Sequence, residues 1–442
     1  AVIISQDAIT NYTPLQPASG KDGAIVTQYS MKPLEDIGLL KMDFLGLKNL
    51  TILEDALKII KTRHNVDIDI NNISLEDTKT FDLLANGLTT GVFQLESNGM
   101  KRYLKELVPS RLEDIIAMNA LYRPGPMDYI PQYIQGKHDP KTIKYMHPVF
   151  EPILEETYGV GVYQEQILRI ARDFAGFSLG QADLLRRAVG KKIPELLAEQ
   201  KKNFANSAKE QGHDPEFALK VFTDVIEPFA GYGFNKAHAT CYAYISYQTA
   251  FLKANYTVEF MAALLTADLE TTDRVVIELE ECENLGIEVL PPNINQSALT
   301  FTVTGDKTIR FGLGAIKGLG TKTIEEIIKI RELEGSFESL SDFAKRVPPQ
   351  LLNKKSIQAL AYAGALDDFG SRHAIASSYD LISMFSKAHV KARNSGQGSL
   401  FDMSDEPVES SNLKLVQVTP LSDFEILSHE KAVLGLYVSA HP

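Results

Sequence analysis

Beyond residue 75 most of the chain places apolar residues three and four apart, the spacing of helices that bury one face. Residues 82–85, 91–102 and 111–118 carry this pattern, and the last stretch stops at Arg123-Pro-Gly-Pro126, where two prolines around a glycine end a helix. Residues 151–174 and 180–205 read as further helices, and 234–265 as a long one broken near Asn255-Tyr-Thr. Its stripe of Tyr244, Tyr247 and Phe251 is read as core rather than as a stacking platform for bases. The first 60 residues are mixed. Residues 2–4 and 24–28 are strand candidates, 10–23 a loop-rich stretch and 50–62 a helix. From about residue 290 the texture shifts: 299–304 and 308–312 alternate as a hairpin around Gly305-Asp306. Two short helical units follow, then a polar linker or exposed loop at 387–412, then a helix over 424–437 that runs into a short strand. The expected fold class is mainly α with small β elements (α+β), in several domains.

One stretch, Gly38-Leu-Leu-Lys41-Met-Asp43-Phe-Leu-Gly46, sets a carboxylate inside an apolar run. Read as a strand, Lys41, Asp43 and Leu45 share a face, while Met42 and Phe44 turn into a core. A carboxylate beside a cation suits an enzyme that holds a metal ion against an anionic substrate. The competing reading is a purely structural ion pair.

Bulk properties narrow the class. With 442 residues, two to four domains are expected, and 44% hydrophobic against 23% charged residues is ordinary for a globular protein. There is no apolar run long enough to span a bilayer and no signal-type N-terminus, so no membrane partner is expected. Two cysteines, Cys241 and Cys282, make neither a disulfide framework nor a metal spacing, which favours a reducing, cytoplasmic location. The nine histidines are scattered, so no structural zinc is expected. A net charge of −12 argues mildly against nucleic acid, yet cations cluster locally at Lys101, Arg102 and Lys105, at Arg186, Arg187, Lys191 and Lys192, and at Lys201 and Lys202. The chain opens at Ala1-Val-Ile-Ile without a methionine and closes abruptly, so a span of a longer protein is expected.

Four motifs carry chemistry. Asn235-Lys236-Ala-His238 opens the long helix, whose N-terminal amides, with Lys236 and His238, form a candidate phosphate site or else a solvated first turn. Arg186-Arg187 offers planar donors matched to a triphosphate, or a merely solvated face. Ile316-Lys317-Gly318-Leu-Gly320, followed by Thr321 and a capping box at Thr323 to Glu326, has the form of a helix-hairpin-helix unit that would grip phosphodiesters without reading bases. A simple turn between helices is the alternative. A second, degenerate unit is expected over 352–369. Gly312, Gly314 and Gly318 do not make a dinucleotide loop, because neither the spacing nor the flanking elements fit. Gln397-Gly-Ser-Leu400-Phe401 exposes two apolar side chains in a polar stretch, as a peptide that plugs a partner's pocket would, or as a loop folding back on its own domain.

Together these residues closely resemble the family of bacterial DNA polymerase III α subunits, the C-family replicative polymerases. The resemblance runs nearly the whole length through Lys41-Met-Asp43-Phe-Leu-Gly46-Leu, Gly91-Val-Phe-Gln-Leu-Glu-Ser97, Leu121-Tyr-Arg123-Pro-Gly-Pro-Met127, Tyr163-Gln-Glu-Gln166, Asp183-Leu-Leu-Arg186-Arg187-Ala, Phe234-Asn-Lys-Ala-His238-Ala, Gln248-Thr-Ala-Phe-Leu-Lys253 and Leu434-Gly-Leu-Tyr-Val-Ser-Ala-His441-Pro. It implies a palm remnant at 1–58, helical fingers at 59–290 and a clamp-binding domain at 291–442 with the helix-hairpin-helix at about 310–370. It also implies roles. Asp43 matches a catalytic, Mg2+-binding aspartate, Lys41, Arg186 and Arg187 match residues that touch the incoming deoxynucleoside triphosphate, and Arg123, Lys236 and His238 belong to the same fingers surface. Lys317, Gly318, Gly320 and Thr321 would meet primer-template DNA, and Gln397, Leu400 and Phe401 the sliding clamp, with other replicase subunits held through regions outside this span. The family's other two metal-binding aspartates form an Asp-x-Asp string that does not occur near the start here, so this span alone is expected to be inactive. A non-catalytic tethering module and an accessory or lesion-bypass member of the family share every motif quoted.

Overall fold

A computed structural model describes residues 2–18, 23–44, 46–191, 194–229, 233–395 and 413–440. The chain is mainly helical with small sheets, as the periodicity predicts. It divides by packing into two units, Ala1–Thr51 and Ile52–Pro442.

The first unit holds two antiparallel two-stranded ribbons, Val2–Ile4 with Leu40–Met42 and Leu15–Pro17 with Ile25–Thr27. The strand at Leu15–Pro17 lies in a stretch expected to be loop. Met42 and Phe44, expected in a core, are 43% and 73% exposed. The reason is the size of the sheet: a pair of strands has no second layer to cover its face. Leu45 lies outside the described residues.

The second unit contains three apolar cores. One gathers around the helix Lys236–Asn255, whose Ala239, Ala243, Tyr247 and Ala250 pack on the helices Thr78–Ala85 and Leu112–Leu121. Tyr247 is fully buried and its hydroxyl donates to Ser74 O, so the aromatic stripe is core. A second core, built on Phe150, Phe174, Phe204 and Phe222, joins the helices Gln164–Asp173, Leu179–Lys191, Pro194–Glu210 and Pro215–Val221. The third packs the helix Thr257–Ala267 against a three-stranded sheet and the helices Thr321–Glu334 and Lys354–Tyr362. In that sheet Thr308–Arg310 is central. It runs antiparallel to Thr302–Gly305, the expected hairpin, and parallel to Glu288–Leu290, which the pattern did not reveal.

Several local expectations are corrected. Residues 91–96 form turns rather than helix: Gly91 and Gln94 take φ +74° and +63°, and the helix starts only at Asn98, capped by Ser97. Gly91 tolerates no side chain, since a Cβ there would lie 2.4 Å from Leu264 Cδ2. Residues 151–174 break at Tyr158-Gly159, both left-handed. The polar segment from residue 387 begins as helix, because Tyr379–Ser395 runs through it. The helix expected over 424–437 ends at Leu434, and the short strand expected beyond it does not form among the described residues. The amides of Val438 and Ser439 donate instead to the buried Glu430 carboxylate, at 2.5 and 2.8 Å, which the Arg372 guanidinium also grips at 2.7 Å.

Candidate nucleotide and nucleic-acid sites

The candidate phosphate-binding residues of the second unit meet at one seam. Tyr163 and Phe234 form a parallel bridge, closed by Phe234 N to Val162 O and Gln164 N to Phe234 O at 3.0 and 2.9 Å. Each strand of the bridge feeds a helix, Gln164–Asp173 on one side and Lys236–Asn255 on the other. Arg123 arrives from the turn after Leu112–Leu121, its Nε donating to Ala120 O and its guanidinium lying 4.2 Å from the Phe234 ring centroid. Partial burial lowers its pKa from the usual arginine value. The line continues through His238, edge-on to Phe234, and Tyr242, stacked on His238 with ring centroids 4.5 Å apart.

Lys236 stands on the same seam. Its Nζ pairs with Glu156 at 2.7 Å, and its backbone N–H donates to both oxygens of Glu165 at 3.1 Å. The Asn235 side chain accepts from His238 N and donates to Glu165. The first turn of this helix is thus occupied by a cap and a carboxylate of the protein itself. Such a carboxylate sits where the helix dipole favours negative charge.

Arg186 reaches the seam, with Arg187 beside it, from the helix Leu179–Lys191, whose Ala182, Leu185 and Ala188 are buried. Arg186 donates through Nε and Nη2 to Asp183 Oδ1 at 2.9 and 2.8 Å, and through Nη1 to Gln164 Oε1 at 3.5 Å. Arg187 Nε pairs with the other Asp183 oxygen at 2.8 Å. Gln164 in turn donates to Gly233 O, so it links the arginine helix to the loop that carries Phe234. The hydrogen bonds from Arg186 hold the Asp183 carboxyl below the usual carboxylate range.

The helix-hairpin-helix region is organised by two buried anchors, Ile316 and Leu319, which leave Lys317, Gly318, Gly320, Thr321 and Lys322 exposed between them and the helix Thr321–Glu334. Gly318 takes φ +88° and packs its bare Cα on the stem of Lys355. The expected capping box is absent. Gly320 is the N-cap and no side chain caps the helix, which leaves its first turn to the solvent side. The preceding segment is a single 3-10 turn, Leu313–Ala315. The second, degenerate unit is present as the helix Lys354–Tyr362, a left-handed Gly364 and the 3-10 turn Asp367–Phe369.

In the first unit Lys41 and Asp43 pair at 2.8 Å. The hydrogen bond from Lys41 holds the exposed Asp43 carboxyl below its usual range, so it is ionised at neutral pH. Among the described residues no group of three or more His, Cys, Asp or Glu side chains is gathered closely enough to hold a metal ion. A two-cation centre needs several carboxylates, and Asp43 offers one. Gln397, Leu400 and Phe401 lie outside the described residues.

Matches to known families follow the same division of the chain. A bacterial DNA polymerase III alpha subunit finger domain matches residues 49–212, a helix-hairpin-helix motif 286–375, and a bacterial DNA polymerase III alpha NTPase domain 1–46. Over its whole length the chain is 46% identical to DNA polymerase III subunit alpha of Thermus aquaticus, 45% to that of Bacillus subtilis and 44% to that of Borreliella burgdorferi. The chain belongs to the bacterial DNA polymerase III alpha subunit family. It spans 36%, 39% and 38% of the length of those three relatives. Within the finger match fall Arg123, Arg186 and Arg187, together with Gln164, Glu165, Glu156 and Asp183, to which the sequence reading gave no role. Asp183 carried a signal, three and four residues before the two arginines. Glu165 carried none, since it meets Lys236 across 71 positions of chain.

Proposed function

We propose that this span is the nucleotide-binding and DNA-holding part of a template-directed DNA polymerase, acting in the cytoplasm. The observation that carries the reading is the seam at Tyr163 and Phe234, which collects Arg123, Lys236 with His238, and Arg186 from three separate segments, with Arg187 alongside. Four cations and an imidazole gathered at and beside this seam suit a deoxynucleoside triphosphate. In the reaction the primer 3′ hydroxyl attacks the α-phosphate and pyrophosphate leaves. Arg186 and Arg187 neutralise the triphosphate, most strongly as charge grows on the leaving group. Asp43 supplies one carboxylate to a Mg2+ site completed elsewhere in the full-length protein, with Lys41 against the substrate's phosphates. The exposed Lys317, Gly318, Gly320 and Thr321 hold the duplex through its backbone, and Gln397, Leu400 and Phe401 bind the sliding clamp. The domain limits that go with this reading are palm at 1–58, fingers at 59–290 and clamp-binding domain at 291–442. The span alone, with one carboxylate, is not a complete catalyst.

The test is steady-state primer extension by the full-length polymerase. Replacing Arg186 and Arg187 together by alanine is expected to raise KM for the nucleotide about a hundredfold, and Asp43→Ala to abolish synthesis. An unchanged KM would remove the nucleotide site, and synthesis surviving Asp43→Ala would favour a non-catalytic tethering module.

A further inference from the structure

Neighbouring residues on a helix point about 100° apart, and two adjacent guanidiniums repel. Arg186 and Arg187 nevertheless lean to the same side, because one carboxylate lies between them a turn earlier. Asp183 is at i−3 from Arg186 and i−4 from Arg187, the two spacings that are neighbours on a helix surface. Its Oδ1 takes Nε and Nη2 of Arg186 and its Oδ2 takes Nε of Arg187, at 2.8–2.9 Å. Gln164 Oε1 approaches Nη1 of Arg186 from the seam. Arg187 is held through Nε, and its side chain stays 61% exposed.

We propose that Asp183 is a positioning residue for nucleotide binding, a single carboxylate that gathers both guanidiniums onto the face of the Phe234 seam. The proposal rests on the nucleotide-site reading above. The cluster keeps a net positive charge, two guanidiniums against one carboxylate, so it still attracts a triphosphate. Stability is a poor account of the trio. All three side chains are at least a third exposed, and exposed ion pairs contribute little to folding. What the carboxylate supplies is orientation, which matters for donors that must meet phosphate oxygens in a fork.

The experiment uses the full-length polymerase and reads KM for the nucleotide, kcat and thermal midpoint. Asp183→Asn is expected to raise KM about tenfold, with the midpoint unchanged, and Asp183→Glu to recover most of the loss. In an Arg186→Ala/Arg187→Ala background Asp183→Asn is expected to add nothing, because the groups it orients are gone. A structural role would instead lower the midpoint and add its loss to that background, which overturns the proposal even if the single variant folds poorly. If the double arginine variant itself leaves KM unchanged, the nucleotide-site reading fails. If it raises KM while Asp183→Asn does not, the site stands and the positioning role falls.

Discussion

A charged side chain sealed into a helical interior is the hardest feature to read from sequence, and this chain has two such centres side by side. Lys253 is fully buried. Its ammonium donates to Glu281 at 2.5 Å and to the carbonyls of Leu88 and Thr90, a partner for each proton. Nearby, Glu278 is buried beside Asp268, with Arg274 3.5 Å away and shared with Glu96 at 2.8 Å. Burial, reinforced by the Asp268 carboxylate, pushes the Glu278 carboxyl up from 4.5 to about 9, so it carries its proton at neutral pH. The folded chain holds that proton and the unfolded chain releases it, so this stabilisation is complete below pH 4.5 and is lost as pH rises to about 9. Glu278→Gln keeps the shape without the ionisation. Its unfolding free energy at pH 9 is expected to exceed that of the parent by about 1–3 kcal/mol, with little difference at pH 5, as urea titrations at the two pH values would show. A gap that does not grow with pH would mean that Glu278 is charged in the fold. Nothing in the spacing of Glu278, Glu281 and Lys253 announced these partners, whereas the pair of Lys41, in the strand Leu40–Met42, and Asp43, just past its end, was legible.

At the scale of elements, legibility followed the range of the controlling contacts. Helices driven by their own apolar stripe, such as Lys48–His64 and Lys236–Asn255, were readable. The turn at 91–96 was not, because Phe93 N donates to Thr249 Oγ1 and Lys253 holds Thr90 O, both more than 150 positions away. Glu288–Leu290 was missed for a similar reason: three residues offer little alternation, and its partner strand starts 18 residues later. The hairpin at Gly318 sits between these cases. Its glycines were visible, but what they do depends on geometry: Gly318 is left-handed, and Gly320 replaces a side-chain cap at the start of Thr321–Glu334. Gly318→Ala is expected to cost only about 1 kcal/mol of stability, since Ile316 and Leu319 still anchor the turn and the Lys355 stem can move aside. Duplex affinity should fall roughly tenfold, because amide donors presented to phosphates depend on that backbone path. Fluorescence anisotropy of the full-length protein on a duplex, beside a melting curve, separates the two effects. Equal small losses in both would reduce the hairpin to a turn between helices.

The molecule as a whole carries a net charge of −12, which opposes lasting association with a polyanion. Two of its cation groups, the seam at Phe234 and the exposed rim from Lys317 to Lys322, are the ones the proposed function assigns to phosphates. Phosphate contacts of the kind proposed for both weaken steeply with salt. On the proposed polymerase reading, a second attachment keeps the full-length protein on its template, and the apolar Leu400 and Phe401 in a polar stretch suit a partner's pocket. Tethering acts through effective concentration, so it multiplies the number of nucleotides added per encounter without touching the insertion step. Leu400→Ala/Phe401→Ala in the full-length enzyme should therefore shorten products on clamp-loaded primed DNA by about a hundredfold, while single-nucleotide insertion without the clamp keeps its kcat and KM. Long products from the double variant would place the tether elsewhere. A parallel fall in clamp-free insertion would mean that these side chains pack against their own domain.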